Sequence, residues 1–358
     1  MIMQIVWGRS VPQVEKKVRF VMNKLLVGTA AAALLSVPAV AGPMAVTVGG
    51  YYNAVVYSQD VDNTDTRDVG IHNDAEIYFK GKGTTNGGLE IGFMVQLEAE
   101  GSGESDHIDE NYVYVKGDFG KVEIGAENNA PYKQQVAAPK IFGWKTYDNN
   151  FETWGGEVDG NKISNFDKPL MDGIDSDALK INYYTPVING FQFAASYTPD
   201  VSDTSGDSGL YNEANAGTAT AFGIKYSGKL GGMKVKASYG VNELDEDFGI
   251  TEAEDEAFGL SVSSGPITIG GNFQTVERGA NETDILHYGV EYKLSKASKI
   301  GVIIHDQEDD TDGDTDIVVV GGSTKLGAGT TLTYSFESLE DDEFGDSEFF
   351  GLGLLLKF

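Results

Sequence analysis

Cysteine is absent from the 358 residues, which removes disulfide scaffolds, thiolate metal sites and cysteine nucleophiles together. Proline is scarce, at 9 residues. No stretch beyond residue 41 approaches 18 consecutive apolar residues, so no transmembrane helix is expected there. Basic residues are few: 26 Lys and Arg stand against 55 Asp and Glu, a net charge of −29. Such a chain would repel phosphate backbones, which argues against nucleic acid as a partner. Glycine (46), tyrosine (17) and phenylalanine (18) are abundant instead. Acidic chains poor in aromatics tend to disorder, but 11% aromatic residues point to a folded, β-rich chain.

Catalytic and metal-binding patterns are also missing. His72, His107, His287 and His305 are scattered, with no His-x-x-x-His spacing, and no Gly-x-Ser-x-Gly occurs. The run Glu308 to Gly313 loosely suggests a calcium loop. It begins with Glu and has Val319 where the bidentate acid belongs. No cofactor, metal or catalytic residue is therefore expected.

Residues 22–41 read as a secretory signal peptide: Met22 and Lys24, an apolar run, then Ala39-Val40-Ala41. Residues 1–21 read as a non-native upstream extension. Removing 1–41 takes away five basic residues and Glu15, leaving 21 basic against 54 acidic residues in 42–358, or −33. An exported chain without a membrane helix is either soluble or a membrane β-barrel.

Residues 42–358 alternate throughout. Val46, Val48, Gly50, Tyr52, Ala54 and Val56 share one side; Thr47, Gly49, Tyr51 and Asn53 share the other. Ile71, Ala75, Ile77 and Phe79 oppose His72, Asp74, Glu76, Tyr78 and Lys80, so the second face is wet. Sixteen such segments follow one another: 44–57, 71–83, 89–100, 108–116, 121–129, 178–186, 191–199, 219–227, 233–241, 255–263, 267–276, 284–294, 299–305, 316–325, 331–338 and 347–358. Short Gly-, Asn- and Ser-rich turns alternate with long acidic loops, the plan of an outer-membrane barrel. A β-sandwich would need apolar groups where Lys and Glu stand.

The last segment places Phe350, Leu352, Leu354, Leu356 and Phe358 on one face. A terminal Phe with alternating apolar residues resembles the assembly signal read by bacterial barrel-assembly machinery. The longest connection, 130–177, holds Trp144 and Trp154, and a link of that length is usually functional.

Together these features resemble the Gram-negative general diffusion porins, over residues 42–358. Local phrases agree: Ile77-Tyr78-Phe79-Lys80-Gly81, Lys116 to Gly125, and Asn189-Gly190-Phe191 onward to Tyr197. Ile124 to Ala130 is similar to the alphaproteobacterial members. The resemblance implies a 16-stranded antiparallel transmembrane β-barrel with short periplasmic turns, long extracellular loops and an inward-folded third loop at 130–177. It implies passive diffusion of small hydrophilic solutes and ions, contact with outer-membrane lipid and lipopolysaccharide, and a homotrimer. The other readings are a substrate-selective channel, and a barrel enzyme or adhesin.

Trp144 and Trp154 would pack the third loop against the wall, and its acids Asp148, Glu152, Glu157 and Asp159 would face a basic wall. The family's wall arginines fall at Glu76, with Lys80 following; at Ala126, followed by Glu127; and at Lys180. These replacements, with Glu90 and Glu98 also inward by alternation, lead us to expect a cation-preferring pore.

Overall fold

The computed structural model describes residues 44–62, 68–99, 108–142, 157–158, 161–162, 166, 168–171, 173–203, 217–245 and 252–358. The signal peptide at 22–41 and the extension at 1–21 lie outside the described residues. The period-2 pattern becomes strand wherever it occurs, because alternate side chains meet different media. The first five strands are β1 (Ala45–Val61), β2 (Val69–Thr84), β3 (Glu90–Glu98), β4 (Ile108–Gly117) and β5 (Gly120–Ala126). Helix α1 (Ala130–Gln134) follows, then a two-residue pair, β6 (Glu157–Val158) and β7 (Asn161–Lys162).

The chain returns to the wall with β8 (Leu179–Tyr184), β9 (Phe191–Thr198), β10 (Ala219–Leu230), β11 (Met233–Leu244), β12 (Ala253–Ser264) and β13 (Ile267–Arg278). It ends with β14 (Asn281–Lys293), β15 (Ser298–Asp309), β16 (Thr315–Gly327), β17 (Thr330–Asp341) and β18 (Gly345–Lys357). Leaving aside β6 and β7, the sixteen strands form one closed barrel in which sequential strands pair and β18 pairs with β1. All sixteen segments read from the sequence are present. Several run further at the loop ends, as β15 does to Asp309 and β17 to Asp341. There acids occupy both faces and the alternation fades, although the hydrogen-bond ladder continues.

Closure runs through the last residue. Tyr52 lies opposite Leu356. The Gly50 N–H donates to the Phe358 carbonyl at 3.0 Å, and the Phe358 N–H to the Gly50 carbonyl at 3.1 Å. Phe350, Leu352, Leu354, Leu356 and Phe358 are all exposed on the outer face, with Tyr52 and Val56 on β1. The outward aromatics Tyr239, Phe258, Phe273, Tyr288 and Tyr292 are likewise exposed. Apolar side chains exposed all round a closed sheet suit contact with lipid.

The short turns have the backbone their residues permit. Gly231 and Gly232 take φ of +56° and +87° between β10 and β11, the left-handed pair that a two-residue hairpin needs. Asn189 and Gly190 do the same before β9, at +51° and +90°.

Candidate functional site

The inward face divides into three parts: an acidic wall, a buried charge clamp, and a seat for the third loop. The acidic wall lies on β1 to β3. Register sets Tyr51 opposite Glu76, and Glu76 opposite Glu98. The Tyr51 hydroxyl lies 2.8 Å from Asp74 Oδ1 and 2.6 Å from Glu76 Oε1, its single proton shared between the two carboxylates. The Tyr78 hydroxyl donates to Glu76 Oε2 at 2.5 Å. Carboxylate oxygens of Asp74, Glu76 and Glu98 all lie within 4.8 Å of one another. Lys80, two inward positions along β2 from Glu76, holds its ammonium 4.7 Å from the centre of the Tyr78 ring. Glu76 thus sits where the resemblance implied a basic wall, held by two phenols.

The clamp ties the start of the third loop to its end. Asn129 caps α1, its Oδ1 accepting from the Tyr132 N–H at 2.9 Å, the usual use of Asn at a helix start. Its Nδ2 donates to the Met171 carbonyl and to Asp175 Oδ1 at 2.9 Å. Glu123 pairs with Lys121 at 2.7 Å and with Lys133 at 3.0 Å, and Lys133 pairs with Glu127 at 2.8 Å. Burial pushes the Glu127 carboxyl above its usual range, against the opposing pull of Lys133.

Lys180 faces inward, but it is enclosed by the loop. Its ammonium, with three N–H donors, is ringed by the carbonyls of Glu127, Asp175, Ser176 and Ala178, and lies 3.8 Å from the Asp175 carboxylate. It fastens the loop to β8 rather than presenting a charge to solvent.

The seat is a track of small residues across β9 to β16. The Ala130 N–H donates to Ser196 Oγ at 2.7 Å, and the Val136 N–H to Ser238 Oγ at 2.8 Å. Ser323 Oγ donates to the Ile141 carbonyl at 2.8 Å. Between these anchors the loop lies where wall side chains would otherwise be. A Cβ on Gly240 would stand 2.8 Å from Pro131 and Met171, one on Gly259 would strike the Val136 carbonyl, and one on Gly321 would stand 2.7 Å from Phe142. On the far wall Ile141 and Phe142 join Ile303, Ile317, Val319 and Leu339 in one buried cluster. His287 and His305, paired across β14 and β15 and both fully buried, lie beside it, with the Phe166 ring 4.7 Å from His305.

Of the residues expected at the narrowing, Glu76, Lys80, Glu127 and Lys180 are described. Asp148, Glu152, Asp159, Trp144 and Trp154 lie outside the described residues, and Glu157 is described in backbone only, in β6. Sequence reasoning did not single out Tyr51, Asp74, Tyr78, Lys133, Asn129 or the glycine track. The alternation already put Tyr51 and Asp74 on the wet face.

The family model described as Gram-negative porin matches residues 28–351. The chain belongs to this family. A porin from Rhodobacter capsulatus is 26% identical over 292 residues, covering 69% of this chain and 88% of its own. An uncharacterized protein of Rickettsia conorii is 27% identical over 118 residues. That match covers 28% of this chain, which spans about a quarter of the length of this and similar Rickettsia proteins.

Among solved structures, a porin refined at 1.8 Å resolution has a TM-score of 0.63 at 18% identity, covering 88% of this chain and all of its own. An anion-selective porin from Comamonas acidovorans has a TM-score of 0.61 at 15% identity, with the same coverage. Both share the fold. Family and barrel together place this porin in the outer membrane.

Proposed function

We propose that this porin is a passive, water-filled channel for small hydrophilic solutes and ions, that it prefers cations, and that the 130–177 loop forms its constriction. A sixteen-stranded barrel is wide enough for an aqueous lumen. The barrel fold does not set the sign of the preference, since an anion-selective porin has it too. The sign must come from the lining, and the observation that carries our reading is the convergence of Asp74, Glu76 and Glu98 on the inner wall. Three carboxylates this close focus a negative potential, which concentrates cations beside them. Lys180, at another of the family's basic wall positions, is as buried as Glu76, but its charge is met by the Asp175 carboxylate and by loop carbonyls.

The reading supports a channel rather than an enzyme. The inward polar groups named above are held by neighbouring side chains and carbonyls, in arrangements that fix a loop and line a wall. Homotrimer formation, contact with lipopolysaccharide and recognition by barrel-assembly machinery extend the same reading by family likeness. The test is the zero-current potential of the channel in a planar bilayer under a salt gradient. Cation preference that shrinks as salt is raised is expected. An anion-preferring channel, or no channel, would refute the reading.

A further inference from the structure

We infer that Lys225, Lys229, Lys234 and Lys236 form a binding site for a small multivalent oxyanion at the periplasmic mouth, a site separate from the acidic wall. The register of β10 and β11 sets Lys229 directly opposite Lys234, Ser227 opposite Lys236, and Lys225 opposite Ser238. All four lysines share the inward face of Gly223 and Ser238, which touch the third loop. They stand next to the Gly231-Gly232 turn, and short turns lie on the periplasmic side. Going round the barrel, β10 and β11 lie almost opposite β2.

What faces the lysines is polar and uncharged. Gln192 on β9 lies opposite Lys225. Ser261 and Ser263 on β12 lie opposite Lys236 and Lys234. Thr268 on β13 comes next, its hydroxyl 3.0 Å from that of Ser263. Gln192 accepts a hydrogen bond from the Gln134 amide at 3.3 Å, so the patch begins directly beneath α1.

Elsewhere on this face Lys121, Lys133, Lys180, Arg278 and Lys299 each hold an acid. Among the described residues, no ion pair or hydrogen bond involves the four ammonium groups of the patch. Among the described residues, the strand partners of the four carry no acid. Like charges set directly across a strand pair destabilise it, so the arrangement calls for a counter-charge from solution. Ammonium groups act as point charges without the planar fork of arginine. With hydroxyls alongside, they suit a phosphate or polycarboxylate group carrying several charges.

The inference rests on the pore reading only for access through the lumen, so its test has an arm that does not need conductance. The full chain, folded in detergent, is dialysed against radiolabelled inorganic pyrophosphate at low salt. Saturable binding is expected. It should weaken by about three- to tenfold in Lys225→Gln/Lys236→Gln, the scale of two solvent-accessible charge contacts. Lys296→Gln, in a turn of the same mouth, should leave it unchanged. In a planar bilayer, pyrophosphate added from one side only should lower the potassium current of wild type and not of the double variant. Absent binding, equal binding by wild type and double variant, or a current indifferent to pyrophosphate would overturn the site. Lysine-dependent binding by a protein that conducts nothing would uphold the site and sink the pore reading alone.

Discussion

Substituting Gly259 by alanine tests whether the third loop is held by the shape of the wall. The added Cβ would fall on the Val136 carbonyl, with the carbonyl carbon at 2.7 Å and Ser238 Oγ at 2.8 Å. All but the last are backbone atoms, so no rotamer change relieves the clash. Restoring van der Waals separation means moving Val136 by roughly an ångström. That shift opposes the 2.8 Å bond from the Val136 N–H to Ser238 and disturbs a side chain only 5% exposed. Overpacking of this kind costs about 1–3 kcal/mol, and loss of the hydrogen bond about 1 kcal/mol more.

The strand ladder of the barrel does not depend on Val136. Gly259→Ala should therefore fold, judged by heat-modifiable gel mobility, while its single-channel current becomes noisier and its mean conductance changes. Gly270→Ala, whose Cβ would meet Ala137 and Ser261 at 3.1–3.2 Å, should show a smaller effect. Gly83→Ala, with its nearest neighbour at 3.8 Å, should show none. Equal behaviour of all three variants, or loss of the folded barrel in Gly259→Ala, would refute the seat.

Other outcomes follow from the wall, the seam and the clamp. Glu76→Arg should move the zero-current potential toward anions, and Glu76→Gln should move it less. Asp310→Asn, in an exposed turn, should barely register, because charges beyond about 8 Å are screened at physiological salt. Deleting Phe358 removes both hydrogen bonds to Gly50 and the last outward apolar residue, so the yield of heat-modifiable protein in the outer membrane should fall sharply. Glu127 has its carboxyl raised by burial, so folding takes up a proton there. Its contribution to stability is full below the ordinary glutamate value of about 4.3 and is lost as pH rises through the raised value. Glu127→Gln cannot ionise, so thermal unfolding followed against pH should lose that part of the decline above about pH 4.3.

The wall was legible because alternation in a barrel is read twice, once against lipid and once against water. Leu352, Leu354 and Leu356 could belong to no other face, and every strand was found. The acidic strand ends were shortened because both faces are polar there. Asp341, which the pattern left in a loop, ends β17, with its carboxylate accepting from the N–H groups of Glu343 and Phe344. Alternation puts Glu76 and Lys180 on the wet face, yet it does not give their roles. Whether an inward charge meets water depends on what the loop covers, and that depends on registers set by distant strands. Tyr51 reaches Glu76 only because β1 and β2 pair at that offset.

The same reasoning explains why glycine is so frequent. In a barrel open to water, an inward side chain costs little, and glycine there gives up packing and conformational restriction. Gly223, Gly240, Gly259 and Gly270 are spread over four strands, yet a Cβ on any of them would meet one segment, residues 131–137; at Gly301 and Gly321 a carbonyl of the neighbouring strand stands closer still than Ile141 and Phe142. No local preference selects the first four as a set. It follows if the wall is shaped around a chain lying against it, with serines 196, 238 and 323 fixing that chain's height through its backbone. The described start of the loop is then a second layer of the wall on this side, held to it by shape and by backbone hydrogen bonds.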